Sequence, residues 1–274
     1  MLKLKYFFEK NKMLIIIISI LLICSIAIAV GVYAQITNKK ISTGKKTNIE
    51  VDYENLKNNF KYIFTNGINR EETANLNYNY DEIICCEYNI EEEKSGKYNI
   101  NAKIPLFKLD SEVIEKVNEE IIDTFARKII DIADNASVYT TYSLDYVAYI
   151  NGNIISLVIR CNYKDGTNPQ RTIIQTYNYD IENDKLLTIQ DILEYKNLNK
   201  EEVQNKVNDE IKKVNSQVQS ISEQGYNVYV RDEKDSMYKI ENTANYFLGS
   251  YNYLYLVYAY GNNEYTSETD LVIF

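Results

Sequence analysis

Met13 to Val32 reads MLIIIISILLICSIAIAVGV, twenty residues without a charge. That is the length an α-helix needs to cross the hydrocarbon core of a bilayer. Lys3, Lys5, Lys10 and Lys12 precede it and favour a cytoplasmic N-terminus. Lys39, Lys40, Lys45 and Lys46 follow it and reduce the asymmetry, but a long domain translocates largely regardless of flanking charge. The rival is a cleaved signal peptide, with Val32-Tyr33-Ala34 before Gln35 as the cut site; a signal core is usually shorter, so an uncleaved anchor is expected. Cys24 follows Ile23, where a lipoprotein signal carries a small residue. The expected organisation is a cytoplasmic stub (1–12), a transmembrane anchor (13–34), a tether with a short helix (35–75), a first α+β domain (76–185) and a second one (186–274).

Charge is divided unevenly along the chain. The net charge is −9; residues 1–12 carry +3 and residues 35–49 carry +4, which leaves −16 on residues 50–274. Such a region repels nucleic-acid phosphates and attracts cationic partners. Two function classes are excluded outright. With no His in 274 residues, neither a Ser-His-Asp nor a Cys-His catalytic arrangement can form, nor can a His-containing zinc site. No cofactor is expected, and the chain is read as a binding protein and not an enzyme.

Periodicity outlines the exported part. Val51, Leu56, Phe60 and Phe64 recur at helical spacing, with Gly67 and Asn69 as a stop. Residues 97–107 (KYNINAKIPLF) alternate as a half-buried strand, and Pro105 puts its end near a sheet edge. Asp110 is the expected N-cap of a helix whose stripe is Ile114, Val117, Ile121, Phe125 and Ile129. Residues 138–150 and 153–163 read as strands joined by a turn centred on Asn151-Gly152, and 171–181 continues the meander. Thr188 and Asp191 cap a short helical turn; Asn199 caps a longer helix along Val203, Val207, Ile211, Val214 and Val218. Strands over 226–231, 251–260 and 268–274 close the chain. The order predicts an α+β fold of antiparallel sheets with two main amphipathic helices, after one N-terminal transmembrane helix.

Candidate sites are few. Asp180, Glu182, Asp184 and Asp191 echo a calcium loop, but Lys185 stands where the loop needs Gly, so a solvated turn is expected. Glu91, Glu92 and Glu93 read as a solvated charge run. An exported location permits a Cys85–Cys161 or Cys86–Cys161 bridge; equally, the thiols serve as small apolar residues on strands. Among 26 tyrosines, Tyr251, Tyr253 and Tyr255 share a face if their strand is regular, a stripe suited to a glycan or a protein partner or simply to strand packing.

Four stretches together resemble a known family: YNINAKIPLF with its following helix, SLDYVAYINGNIISLVIRCNY, TIIQTYNYDIENDKLLTIQDIL, and YLYLVYAYGNNEYTSETDLVIF. They are similar to the exported region of RsiV-type anti-sigma factors, also found beside the catalytic domain of PdaC-type peptidoglycan deacetylases. The second domain there opens with an LT-x-x-D-I-L turn, here Leu187 to Leu193. The resemblance covers about residues 80–274. It implies a two-part extracytoplasmic module of the bacterial cell envelope that recognises lysozyme-like proteins or peptidoglycan. It carries no contact residue over. The deacetylase part has no counterpart in this sequence, and twelve residues before the anchor, about 18 Å as a helix, give little room to hold a sigma factor. A carboxylate-based wall hydrolase and a structural envelope protein are the alternatives.

Overall fold

In the computed structural model, residues 52–70, 83–226, 228–261 and 264–274 are described. The expected stub, anchor and most of the tether lie outside them. No described helix is long and apolar enough to cross a membrane. The chain divides into Met1–Asp52 and Tyr53–Phe274, and the following account concerns the second unit.

Its elements are α1 (Tyr53–Asn59), β1 (Gly67–Arg70), β2 (Ile84–Lys94), β3 (Tyr98–Phe107), α2 (Glu112–Ile121), α3 (Arg127–Asn135), β4 (Thr140–Asn151), β5 (Ile154–Asp165), β6 (Arg171–Asp180) and β7 (Lys185–Leu186). They are followed by α4 (Ile189–Tyr195), α5 (Lys200–Glu223), β8 (Asn245–Leu248), β9 (Leu254–Tyr260) and β10 (Glu268–Ile273). β2 to β7 line up in sequence order in one sheet, with β1 beside β4; β10, β9 and β8 form a second sheet. Pairing is mainly antiparallel, as expected. Two pairs are parallel, β3 with β4 and β1 with β4. The β3–β4 pair is parallel because α2 and α3 return the chain across the sheet, a connection two residues of turn cannot make.

β4 shares one edge between two strands. β3 takes Thr140–Leu144 and β1 takes Val147–Ile150. Asn66 fills the gap. It adopts a left-handed backbone (φ 56°), donates its N–H to Tyr146 O at 2.8 Å, accepts from Tyr146 N at 3.0 Å, and donates from Nδ2 to Asp145 Oδ1 at 3.0 Å. The expected stop at Gly67 is therefore the start of β1, a strand too short to show alternation.

The burial pattern explains the layers. Even-numbered β4 residues from Tyr142 to Ile150 face the stripe of α2 and α3, with Ile114, Val117, Ile121, Phe125, Ile129 and Ile132 all buried there. A single π turn, Ile122–Ala126, joins the two helices without moving the stripe off the sheet. Val147 and Tyr149 face the other way, towards Phe247, Tyr255, Val257, Leu271 and Ile273 of the second sheet. Leu254, Leu256, Tyr258 and Val272 turn their backs on that layer and meet Val203, Val207 and Ile211 of α5. The stack is helix, sheet, sheet, helix.

Polar side chains join the sheets. β8 lies at the margin of its sheet, and an unpaired strand edge must be satisfied or covered. Asn178 Nδ2 donates to Tyr246 O (2.7 Å), Tyr246 N to Thr176 Oγ1 (3.1 Å), Leu248 N to Ser156 Oγ (3.1 Å), and Asn151 Nδ2 to Leu248 O (3.1 Å). Ser156 in turn donates to Asn178 at 2.6 Å. All four side-chain donors and acceptors belong to buried residues of the large sheet.

Several local expectations need adjustment. The first helix cap is Ser111, which accepts from Val113 N and Ile114 N, one residue after Asp110. Asn151 pairs with Ile154, so the hairpin turn is Gly152-Asn153. Gly152 alone has φ > 0 (60°), the pattern of a type II′ turn. Residues 228–231 are not a strand. Neither disulfide forms: Cys85, Cys86 and Cys161 are all free. Three strand spacings separate β2 from β5, about 14 Å, well beyond disulfide reach. Cys161 is a buried core residue, and burial pushes its thiol up to about 12.

The Thr188 expectation is met in full. Thr188 and Asp191 form a reciprocal capping box on α4. The Lys185 ammonium, 2.6 Å away, and the Thr188 hydroxyl and N–H hold the Asp191 carboxyl down to about 2. A depressed folded pKa gives stability that is present above the unfolded value of about 3.9 and is lost as pH falls through the folded one. Asp191→Ala is expected to cost about 1 kcal/mol at pH 7. In urea titrations, its difference from wild type should shrink between pH 4 and pH 2; a difference constant over that window would refute the assignment.

Candidate binding surface

The three tyrosines do not share a face, because the strand is not regular over them. β9 begins only at Leu254. Gly249 to Tyr253 instead form a tight turn, with Gly249 N to Tyr253 O at 2.9 Å and Asn252 N to Gly249 O at 3.1 Å. Tyr255 is buried and stacks on Phe247 at 4.6 Å. A Cβ on Gly249 would sit 2.5 Å from the Tyr255 ring, so only glycine lets the turn pass over it. Tyr251 stands at the turn's tip, 77% exposed, with φ 57°. A bulky side chain in the left-handed region is costly and is usually retained for a reason.

Tyr251 and Tyr253 belong to a larger aromatic group that sequence spacing does not reveal. Tyr253 lies 6.3 Å from Tyr251 and 6.0 Å, edge-on, from Tyr53 of α1. Lys206 of α5 places its ammonium 4.4 Å from the Tyr53 ring and 4.3 Å from that of Phe274, and donates to Ile273 O. Burial pushes the Lys206 ammonium pKa down, and neighbouring Lys57 adds to the effect against Glu210. Lys196 donates to Asn252 O at 2.6 Å and anchors the turn. Tyr53, Lys206 and Phe274 come from elements far apart in sequence, so no local signal marks them.

A concave region runs along α5. Its larger part, about 740 Å³, lies between the start of the helix and residues 233–241 and is lined by Lys200, Glu201, Lys234, Asp235, Lys239 and Glu241, among others. Two helix amides hold the opposite wall. Gln204 bonds Tyr238 O and Ile240 N, and Asn215 bonds Arg231 O and Arg231 N. They sit eleven residues apart, three turns, and so face the same way. Arg231 is itself buried. It makes a two-point contact with Asp270 (3.2 and 3.0 Å) and pairs with Glu268. Tyr260 Oη donates to Asp270 at 3.0 Å, and burial and then Asp270 push its phenol pKa up.

The calcium-like carboxylates serve separate structural tasks. Asp180 accepts from Glu182 N and Asn183 N, Asp184 from Tyr179 Oη and Ser111 Oγ, and Asp191 caps α4. Among the described residues, no group of three or more Cys, Asp or Glu is placed to hold a metal ion.

The fold and this surface define an α+β protein with antiparallel-dominated sheets and an aromatic surface cluster. No family model matches the chain, and no curated protein matches it. Solved structures similar to it include two DUF3298 family proteins. One is a DUF3298 family protein from Pseudomonas aeruginosa PAO1, 14% identical, with a TM-score of 0.39 over 61% of this chain and 75% of that one. The other is a DUF3298 member from Bacteroides fragilis NCTC 9343, 14% identical, with a TM-score of 0.36 over 59% and 74%.

Proposed function

We propose that this chain is a membrane-anchored extracytoplasmic binding or sensor module of the bacterial cell envelope, whose partner is a cationic protein of the lysozyme kind. The carrying observation is the pairing of a −16 charge on residues 50–274 with a partly exposed Tyr53–Tyr251–Tyr253 cluster. Charge supplies steering, and aromatic surface supplies the desolvated contact that gives affinity. Peptidoglycan itself is the second ligand in this reading, since tyrosine rings offer apolar faces with polar tips. The uncharged run Met13–Val32 supports the anchor.

The test is a titration of lysozyme against the protein at low and at half-molar salt. Charge alone is screened beyond about 8 Å at physiological ionic strength, so the affinity expected to survive in high salt is the part supplied by the aromatic contact. Tyr251→Ala should remove most of that residual part. Equal binding of any basic protein, or complete loss at high salt, would reduce the acidic surface to solvation.

A further inference from the structure

A small concave site of about 370 Å³ opens between the end of α1 and strands β5, β6 and β10. Its volume falls within the range of small-ligand sites. Three cationic side chains line it, Lys57, Lys61 and Arg160, and no carboxylate does. In a region carrying −16 that concentration runs against the prevailing charge.

The cations are not equivalent. Lys57 is neutralised by Glu210 at 2.7 Å, with Glu54 at 3.6 Å. Arg160 is held in place: its guanidinium lies 4.1 Å over the Phe64 ring, donates to Lys61 O at 2.9 Å, and has Asp145 at 3.5 Å. Lys61 has the Tyr62 ring 4.9 Å from its ammonium, and among the described residues no carboxylate pairs with it. The site thus carries about one uncompensated positive charge.

The remaining lining is of two kinds. Phe60, Ile174 and Leu271, all members of the core between the sheets, give the site an apolar floor. Asn162 accepts through Oδ1 from Thr172 at 2.9 Å and from Gln170 at 3.5 Å. Its Nδ2 group is left as a donor that the described protein does not use. One net positive charge, an amide donor and an apolar floor match a monoanion with a short apolar body better than a doubly charged phosphate.

We propose that this site binds a small carboxylate bearing a short apolar chain. The carboxylate sits at Lys61 and Asn162 Nδ2 beside Arg160, and the chain lies on Phe60, Ile174 and Leu271. A free short-chain acid and the C-terminal residue of a peptide present the same chemistry. The site goes beyond recognition of a cationic protein and does not depend on it.

The test is calorimetric titration of the full chain in non-ionic detergent with hexanoate, N-acetyl-leucine, N-acetyl-leucinamide, 1-hexanol and inorganic phosphate. Hexanoate or N-acetyl-leucine should bind saturably, and whichever is tighter identifies the source. The amide and the alcohol should bind at least about tenfold more weakly, because they lack the charge that meets Lys61. Lys61→Gln and Asn162→Asp should each lower carboxylate affinity about tenfold while leaving the melting temperature unchanged. Asn162→Asp keeps the acceptor that Thr172 uses, so it tests the site without dismantling the strand. Equal binding of acid and amide, unchanged affinity in both variants, phosphate binding tighter than either carboxylate, or no saturation by about 20 mM would each overturn the proposal.

Discussion

Arg231→Met is expected to destabilise the folded unit by about 3–5 kcal/mol, the usual cost of leaving a buried charge without its partner. For a domain of this size that is a fall in melting temperature of roughly 6–20 °C. The side chains of Arg231 and Asp270 are each only 4% exposed. Removing the guanidinium strands the Asp270 carboxylate against Tyr260. It also removes the side-chain bond to Tyr229 O, while the two bonds from Asn215 to the backbone of residue 231 remain. Asp270→Leu should be costly for the same reason, because it strands the Arg231 guanidinium. The double variant Arg231→Met with Asp270→Leu should regain most of the loss, because a buried pair and a well-packed apolar pair of similar volume are often close in stability. Urea unfolding of the two single variants and the double gives the coupling directly. A single Arg231→Met variant within 1 kcal/mol of wild type would show that the pair contributes little.

Phe247→Ala is expected to cost about 3–5 kcal/mol, the range for emptying an aromatic site in a packed core. Phe247 is fully buried between the two sheets. It stacks on Tyr255 at 4.6 Å and on Tyr149 at 5.8 Å, and approaches Phe60 at 6.4 Å. Its loss therefore opens a cavity where the large sheet, the small sheet and the end of α1 meet. The neighbouring polar seam from Asn151, Ser156, Thr176 and Asn178 to β8 cannot slide to fill that space without breaking its hydrogen bonds. Phe247→Leu should recover about half. The distinguishing measurement is hydrogen exchange: β8 and β9 amides should lose protection before those of β4 and β5. Uniform loss across both sheets would mean that the layers unfold as one and the interface has no separate weak point.

Positions 151 and 231 show where local reasoning ends. Asn151 precedes a glycine between two strand-like runs, which is the signature of a hairpin turn. The turn exists, one residue later, and Asn151 instead reaches across the inter-sheet seam to Leu248 and Gly249. Residues 226–231 alternate well enough to resemble a strand, yet Tyr229 packs on Tyr260 and Tyr265 and Arg231 turns inward to Asp270. In both cases the side chain answers to a residue roughly forty to a hundred positions away.

The sequence by itself determined what depends on neighbours along the chain. The helix stripe from Ile114 to Ile129, the α5 stripe with its Asn199 cap, the Thr188–Asp191 capping box and the alternation of β3 are all written in local spacing, because helix and strand periods are properties of the backbone. The strong acidity and the absence of His likewise needed no structure. Tertiary structure decided the rest. β1 and β8 have only four residues each, too few for a period to show, and they exist as strands because β4 and β9 offer edges to pair with. Tyr251 and Tyr255 look alike in the sequence, yet one is exposed at the tip of a turn and the other lies under Gly249. Tyr53, Lys206 and Phe274 became one cluster only when α1, α5 and the C-terminus packed together. Side-chain exposure is set by what the opposite layer places over each residue, and that layer is assembled from distant sequence.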